Sequence, residues 1–473
     1  MRFLFQITVN TCFLFSGIRA FVHPGLLVTE TDIARIKTKL SAQLDPWQAS
    51  WDKLTSIKYS QSNYVHNAVA VVSRDGAAAN GDKLWHDTAA AFNLALRWKI
   101  EGNATYAEAA SSILGSWGKT LTSFAGNDDQ YLMAGLQGYQ LINAAELLRD
   151  YTPFESSGNA QAFIDMFTST FLHANMFFLN HQAPSEHNHQ HFHANWELCN
   201  LASAMAFGVY TENATIYDFA IQYFKNGTGN GAINNAITNL VEEPGTGTLM
   251  GQPQEAGRDQ GHTGLDFQLL GVVAQQAWNQ GEDLYGYNNS RILQGCVLSH
   301  SSSSQKPSRL TTMISAEYFA RYNLGNEVPF EPWTNSIVSF TDVSAKSRGA
   351  YRPTWELLYA HYAQIKGVDA PWTALYRNYT VTSFKGFEGG AGSYGEGSGH
   401  YDGLGWGSLL HRLDEDDVAS ASRPPASNNS SSSVVPLVPS SSSVVATFTT
   451  SVLPASYVAS PTATSVGGAS YCT

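Results

Sequence analysis

From Thr29 onward apolar residues recur at helical spacing, in runs several turns long separated by short turns rich in Gly, Asn, Asp and Ser. In the first run Thr29 stands as an N-cap, Asp32 occupies the third helical position, and Ile33, Ile36 and Leu40 share one face. That pattern predicts a capped amphipathic helix. The same period predicts helices over 85–101, 106–120, 131–151, 160–179, 196–210, 216–225, 264–279, 317–324 and 354–365. Strict alternation is scarce, and 336–343 and 379–384 are the only fair strand candidates. Helices in such number bury their apolar faces either as an open solenoid or as a toroid of hairpins around a central cleft. No motif repeats at a fixed period, which argues against a regular solenoid. The polar, His- and Asn-rich connections then become the expected lining of a cleft.

The pattern stops near residue 418. Beyond it Arg423 is the only charged residue, and Ser, Thr, Val, Ala and Pro dominate. Such a stretch cannot bury a core, so 418–473 reads as a disordered, O-glycosylated tail. At the other end, Met1-Arg2 precedes an apolar run over 3–15 that closes on Gly17-Ile18-Arg19-Ala20. This is the layout of a secretory signal peptide over 1–20, too short to span a membrane, and it leaves 21–417 as one catalytic-sized domain. Asn-x-Ser/Thr sequons at Asn103, Asn213, Asn226, Asn288, Asn378, Asn428 and Asn429 are permissible glycan sites in a secreted chain. Cys12 falls in the signal, and Cys199, Cys296 and Cys472 form neither a disulfide framework nor a metal spacing. Cys199, in an apolar helical run, is expected to be a small core residue.

Composition narrows the function. Of 473 residues 43% are apolar and 12% aromatic, but only 14% are charged, against about 25% in an average soluble protein. A net charge of −12 excludes non-specific nucleic-acid binding, because phosphate contacts need a basic stripe and none is visible. An anionic polysaccharide remains open as a partner. A few Arg and His can converge locally on a negative surface, and net charge does not report that.

Four stretches concentrate chemistry. In Glu186-His187-Asn188-His189-Gln190-His191-Phe192-His193-Ala194-Asn195-Trp196 the alternating histidines match no helical or knuckle metal spacing, so neutral donors to a sugar are the expected role of His191, His193, Asn195 and Trp196. Gln252 to His262 packs Gln254, Glu255, Arg258, Asp259 and His262 before an apolar helix. A capping network accounts for Glu255 and Asp259 about as well as a site does. Around Asn279 to Arg291 and Glu317 to Asn326, Tyr318 and Tyr322 fall one helical turn apart, and core packing explains one of them. Ser393 to Asp402, with Tyr394 and His400, is a Gly-rich loop with sugar-friendly side chains.

At these residues the sequence resembles the alginate-lyase superfamily of polysaccharide lyases, and most closely polysaccharide lyase family 38. The resemblance rests on Asn195-Trp196, on Gln254-Glu255-Ala256-Gly257-Arg258-Asp259-Gln260-Gly261-His262, on Asn279 to Tyr285, and on Glu317 to Asn326 with Arg321 where Lys is usual. It covers roughly 21–412 and implies an all-α fold, an (α/α) toroid of helical hairpins in one domain. It also implies elimination chemistry on glucuronan or alginate, with Asn195, His262, Arg291 and Tyr318 as the catalytic set. His191, His193, Trp196, Gln254, Glu255, Arg258, Tyr322, Tyr394 and His400 are the expected substrate-binding residues. No metal, cofactor, nucleic acid or membrane is expected to take part. The sequence departs from the family at one place: Cys296 to Ser315, Ser-rich and patternless, separates the Arg291 segment from the Glu317-Tyr318 motif. It reads as a surface loop or a translated intron.

The residue types fit that chemistry. Removing the C5 proton of a 4-linked uronate builds negative charge on its carboxylate, which Asn195, His262 and Arg291 can stabilise as donors. For β-glucuronate or mannuronate, H5 and O4 lie on one side of the ring, so Tyr318 alone can serve as base and acid. That expectation needs its pKa of about 10 lowered by Arg321 or Arg291. Two rivals stand: a toroid glycoside hydrolase recruiting Glu255, Asp259 or Glu396, and a secreted glycan-binding protein without catalysis.

Overall fold

The Thr29 cap forms as its sequence requires. In the computed structural model the hydroxyl of Thr29 accepts from the Asp32 amide at 3.2 Å, while Asp32 accepts from the Thr29 amide at 2.9 Å, starting helix α1 (Glu30–Ser41). The structure describes residues 20–182, 191–243, 245, 247, 249–292 and 315–421. Residues 1–19 of the expected signal peptide over 1–20, His187, His189, Cys296 and the tail from 422 therefore lie outside the described residues. A short helix, Glu415–Ala421, runs through the expected boundary at 418 and buries none of its residues.

After α2 (Trp47–Ser56), inner and outer helices alternate. The inner row comprises α3 (Gly81–Glu101), α5 (Asp129–Leu147), α7 (Ala194–Tyr210) and α9 (Gln260–Asn279), each packed on the next. The outer row comprises α4 (Ala104–Thr120), α6 (Asn159–Phe167) continued through a π-turn into His173–Leu179, and α8 (Ala214–Asn226). Helix α5 is buried at every position from Met133 to Leu147, and α7 at every position from Glu197 to Tyr210. A helix buried all round belongs inside a larger assembly, whereas the outer helices keep the one-sided stripe of a surface helix. Glycines permit the closest approaches: a Cβ on Gly135 would fall 2.3 Å from the Cys199 sulfur, and one on Gly208 would fall 2.6 Å from the Tyr217 amide. Cys199 is buried as expected.

Each hairpin runs inner then outer, so the inner helices point the same way and their N-terminal ends share one face. Strands β1 (Val71–Ser73) and β2 (Ser123–Ala125), which lead into α3 and α5, pair in parallel and fix that alignment. The toroid is completed by α10 (Ser315–Asn323), α11 (Trp355–Tyr359) with its π-turn to Ile365, and α12 (Pro371–Ser383). Among the described residues the only other strands are the antiparallel pair β3 (Ile237–Glu242) and β4 (Leu249–Pro253), and the two-residue β5 (Trp333–Thr334) and β6 (Ser339–Phe340).

Two strand expectations are corrected. Of 336–343 only Ser339–Phe340 pairs as a strand. All of 379–384 but its last residue, the C-cap Phe384, belongs to α12, where Pro371 occupies the first turn and Thr373, Tyr376 and Thr380 are the buried positions. Those three recur at helical spacing, and Pro suits a first helical turn because no intrahelical donor is lost there.

Candidate active site

The first turn of α7 is capped from outside. Its own cap residue, His193, is extended and makes no side-chain cap. The free amides of Ala194 and Asn195 instead reach Gln254 Oε1 at 2.9 Å and Glu255 Oε1 at 3.4 Å. Helix N-termini attract acceptors and negative charge, so the segment after β4 is bound to α7 by the need to satisfy these groups. Asn195 Nδ2 also donates to Glu255 Oε1, and Arg258 Nη1 donates to Glu255 Oε2 at 2.6 Å. Burial alone would raise the Glu255 carboxyl, but Arg258, His193 and His262 outweigh it and hold the group at about 2.

Helix α9 starts beside this network. Its N-cap, Asp259, accepts from the His262 amide at 2.9 Å with one oxygen and faces His262 Nδ1 at 2.7 Å with the other. Burial works against the charge of Asp259, yet the hydrogen bond and charge of His262 keep its carboxyl well below the usual range. One carboxylate thus caps the helix and orients the imidazole, leaving Nε2 directed away from Asp259 on a side chain that is 32% exposed. His193 lies between Asn195 and the rings of Trp333 (5.9 Å) and Phe340 (6.2 Å). Burial pushes its pKa down. The fold therefore gathers His193, Asn195, Glu255, Arg258, Asp259 and His262 at the joined ends of α7 and α9.

Arg291 and Tyr318 reach the neighbouring hairpin. Arg291 donates to the Ile237 carbonyl at 2.8 Å through Nη2 and is half-buried with no carboxylate partner among the described residues, so burial lowers its pKa. Tyr318 packs with Val241, Met250 and Ala256, and its hydroxyl donates to the Pro329 carbonyl at 2.9 Å. Its phenol is raised, by burial first and then by Tyr322, so the expected lowering by Arg321 or Arg291 does not occur in this conformation. Arg321 is committed to Glu243, and Arg291 to β3.

The expected substrate-binding residues divide. Gln254 and Glu255 are almost wholly buried and brace α7, so neither presents a free face to a ligand. Arg258 lies against Glu255. Tyr322 is covered by the Arg348 guanidinium at 3.9 Å. Trp196 sits among Phe178 and Phe192 at 6.0 and 5.0 Å, and the Asn335 amide donates to the His191 carbonyl at 3.3 Å. Tyr394 and His400 form a second group, with ring centroids 5.1 Å apart. Close to it Arg352 holds Asp402 at 2.7 Å and donates to the Gly399 carbonyl. Sequence reasoning missed Trp333, Phe340 and Arg352, which lie between the motifs rather than in them. It also missed Asp266, whose signal was present: a carboxylate four residues after His262 inside an apolar helix.

Comparison with known proteins agrees with this architecture. The model of the alginate lyase family matches residues 30–306. Alginate lyase A1-III from Sphingomonas species A1 is 12% identical, over 84% of this chain and 98% of that one, with a TM-score of 0.45. A tyrosine-to-phenylalanine variant of alginate lyase A1-III complexed with tetrasaccharide is 11% identical over the same shares, with a TM-score of 0.51. An alginate lyase from Bacteroides ovatus is 15% identical over 57% of this chain and 80% of that one, at 0.40. No curated protein matches. At 11% identity the likeness at a TM-score of 0.51 carries the fold alone, an (α/α) toroid, while the family match spans more than half of the sequence. The chain belongs to the alginate lyase family and is a polysaccharide lyase.

Proposed function

We propose that this protein is a secreted lyase that cleaves 4-linked uronic-acid polymers, glucuronan or alginate, by β-elimination. The observation that carries the reading is the state of the carboxylates. Glu255 is enclosed by Asn195 and Arg258, and Asp259 by His262 and a helix end. Both are held low, whereas a hydrolase needs one carboxyl raised to act as general acid. Glu396, the third candidate of that rival, stands 71% exposed beside Lys58. The groups left to meet a ligand are donors and cations, which suits an anionic sugar.

In the proposed reaction Asn195, His262 and Arg291 bind the uronate carboxylate and stabilise the charge that gathers on it. The unneutralised guanidinium of Arg291 favours that task. The C5 proton leaves to a base, its electron pair forms the C4–C5 double bond, the C4–O4 bond breaks, and O4 takes a proton. Tyr318 carries both protons in the single-residue form, and for this its hydroxyl leaves the Pro329 carbonyl. A second reading has its own observation: the imidazole of His262, oriented by Asp259, keeps Nε2 for a proton, and Tyr318, protonated at rest, serves only as the acid. Secretion is supported by the signal-like start. It is also supported by the exposure of Asn103, Asn213, Asn226, Asn288 and Asn378, every sequon asparagine among the described residues.

Polyuronates followed by the ultraviolet absorbance of the unsaturated product test the reading, because hydrolysis gives reducing ends without it and a binder gives neither. Tyr318→Phe should abolish turnover in both forms, while losing at most about 1 to 2 kcal/mol of stability. The pH profile separates them. A rate that keeps climbing into the alkaline range supports the phenolate, and one that does not supports the imidazole.

A further inference from the structure

Behind Glu255, within α9, lies Asp266. It is fully buried, and neither of its oxygens meets a donor among the described residues. Its neighbours are the Glu255 carboxylate, within hydrogen-bonding reach, the Arg258 guanidinium and the Asp259 carboxylate. Glu255 already takes Asn195 through Oε1 and Arg258 through Oε2. One guanidinium cannot neutralise two touching carboxylates, and a buried pair of this kind keeps one proton between them.

We propose that Asp266 is a positioning residue for Asn195: as the neutral acid it donates its proton in a hydrogen bond to Glu255, and so fixes the carboxylate that aims the Asn195 amide. The proton belongs on Asp266 because Glu255 has the stronger claim to charge, with two donors and a guanidinium against none. Burial, followed by the charge of Glu255, raises the Asp266 carboxyl well above its ordinary value, while Glu255 is lowered. Losing the proton at high pH would set two anions against each other and release Asn195. The inference rests on the lyase reading for its effect on turnover, but not for the existence of the shared proton.

Three variants test it in the full-length protein. Asp266→Asn keeps a donor toward Glu255 and should retain turnover within about threefold, with its alkaline fall moved upward or removed. Asp266→Ala removes the donor and should lose at least tenfold in kcat with little change in KM, since Asn195 acts chiefly in the transition state. Glu255→Gln, with Asn195 left in place, should show the same loss. The infrared difference between wild type and Asp266→Asn should contain one protonated-carboxyl stretch, separate from that of Glu388, which both proteins share, whether or not any polyuronate is cleaved. If that band is absent, or if equally folded Asp266→Asn and Asp266→Ala lose activity alike, the proposal is overturned. If the band is present and no unsaturated product forms from any polyuronate, the lyase reading fails while the proton assignment stands.

Discussion

Asn195 is the residue whose geometry is most fully determined, because its amide and its backbone nitrogen both end on one carboxylate. A donor fixed in this way costs nothing to orient when charge develops, which is why preorganised donors act on kcat more than on KM. Asn195→Ala should lower turnover by roughly 10²-fold or more, with KM changed little. Normal turnover in that variant would remove Asn195 from the site. The residues of this network were visible in the sequence because they crowd into two short motifs. Their division of labour was not: Glu255 and Arg258 looked as fit for substrate as Asn195, and only their pairing with each other and the helix-end amide that Glu255 serves mark them as a brace. Trp333 and Phe340 lie outside every motif, since the two-residue strands that hold them are too short to leave a period in the sequence.

Among the elements, helices with a clean apolar stripe are legible, and their ends fall within a few residues of the periodic pattern. Helix α9 begins at Gln260 rather than 264, because Asp259 caps it and capping needs no apolar residue. Helix α12 escaped because its Tyr and Thr positions mimic alternation, and β3 and β4 because neither carries a long apolar run. The stretch Cys296 to Ser315 is where an element meets the gene. The described chain ends at Ile292 and resumes at Ser315, whose hydroxyl donates to the Arg291 carbonyl at 3.1 Å, so the two ends lie side by side. Joining Gly295 to Ala316 would need only a short closure, and short closures cost little loop entropy. If the stretch is an unspliced intron, transcripts should join Gly295 directly to Ala316. The chain lacking 296–315 should then fold with an undiminished melting temperature and activity at least equal to the full chain. Messages that retain the stretch throughout, or a deletion that fails to fold, would make it a genuine part of the protein.

Across the whole molecule, the toroid is legible from the count of paired helices and the lack of a fixed repeat, but the way it closes is not, because closure rests on buried polar contacts between distant segments. Glu388 is the clearest. Its carboxylate accepts from the amides of Trp355 at 2.8 Å and Glu356 at 3.2 Å, which caps α11 from a loop far along the chain. Burial, and then the charge of Glu356, push its carboxyl up to about 8 from an ordinary 4.5, whereas Glu356 is served by Arg412 at 3.0 Å. For an acid raised in the native state, the folded form binds more protons than the unfolded one between those two values. Stability is therefore greatest below about pH 4.5 for this group and declines as pH rises to about 8. Two histidines act in the opposite sense. His361 is lowered by burial first and then by Lys366, and His411 sits at about 4, mainly through burial. Each gives stability above its ordinary 6.5 that is lost as pH falls toward the native value. Glu388→Gln keeps an acceptor for the two amides and cannot ionise. It should therefore leave the melting temperature near pH 5 almost unchanged and raise it progressively toward pH 8 and above, while the acid-side decline persists. A melting temperature that falls equally at every pH would show that the carboxyl is needed as a charged cap, and the assignment of a neutral Glu388 would be wrong.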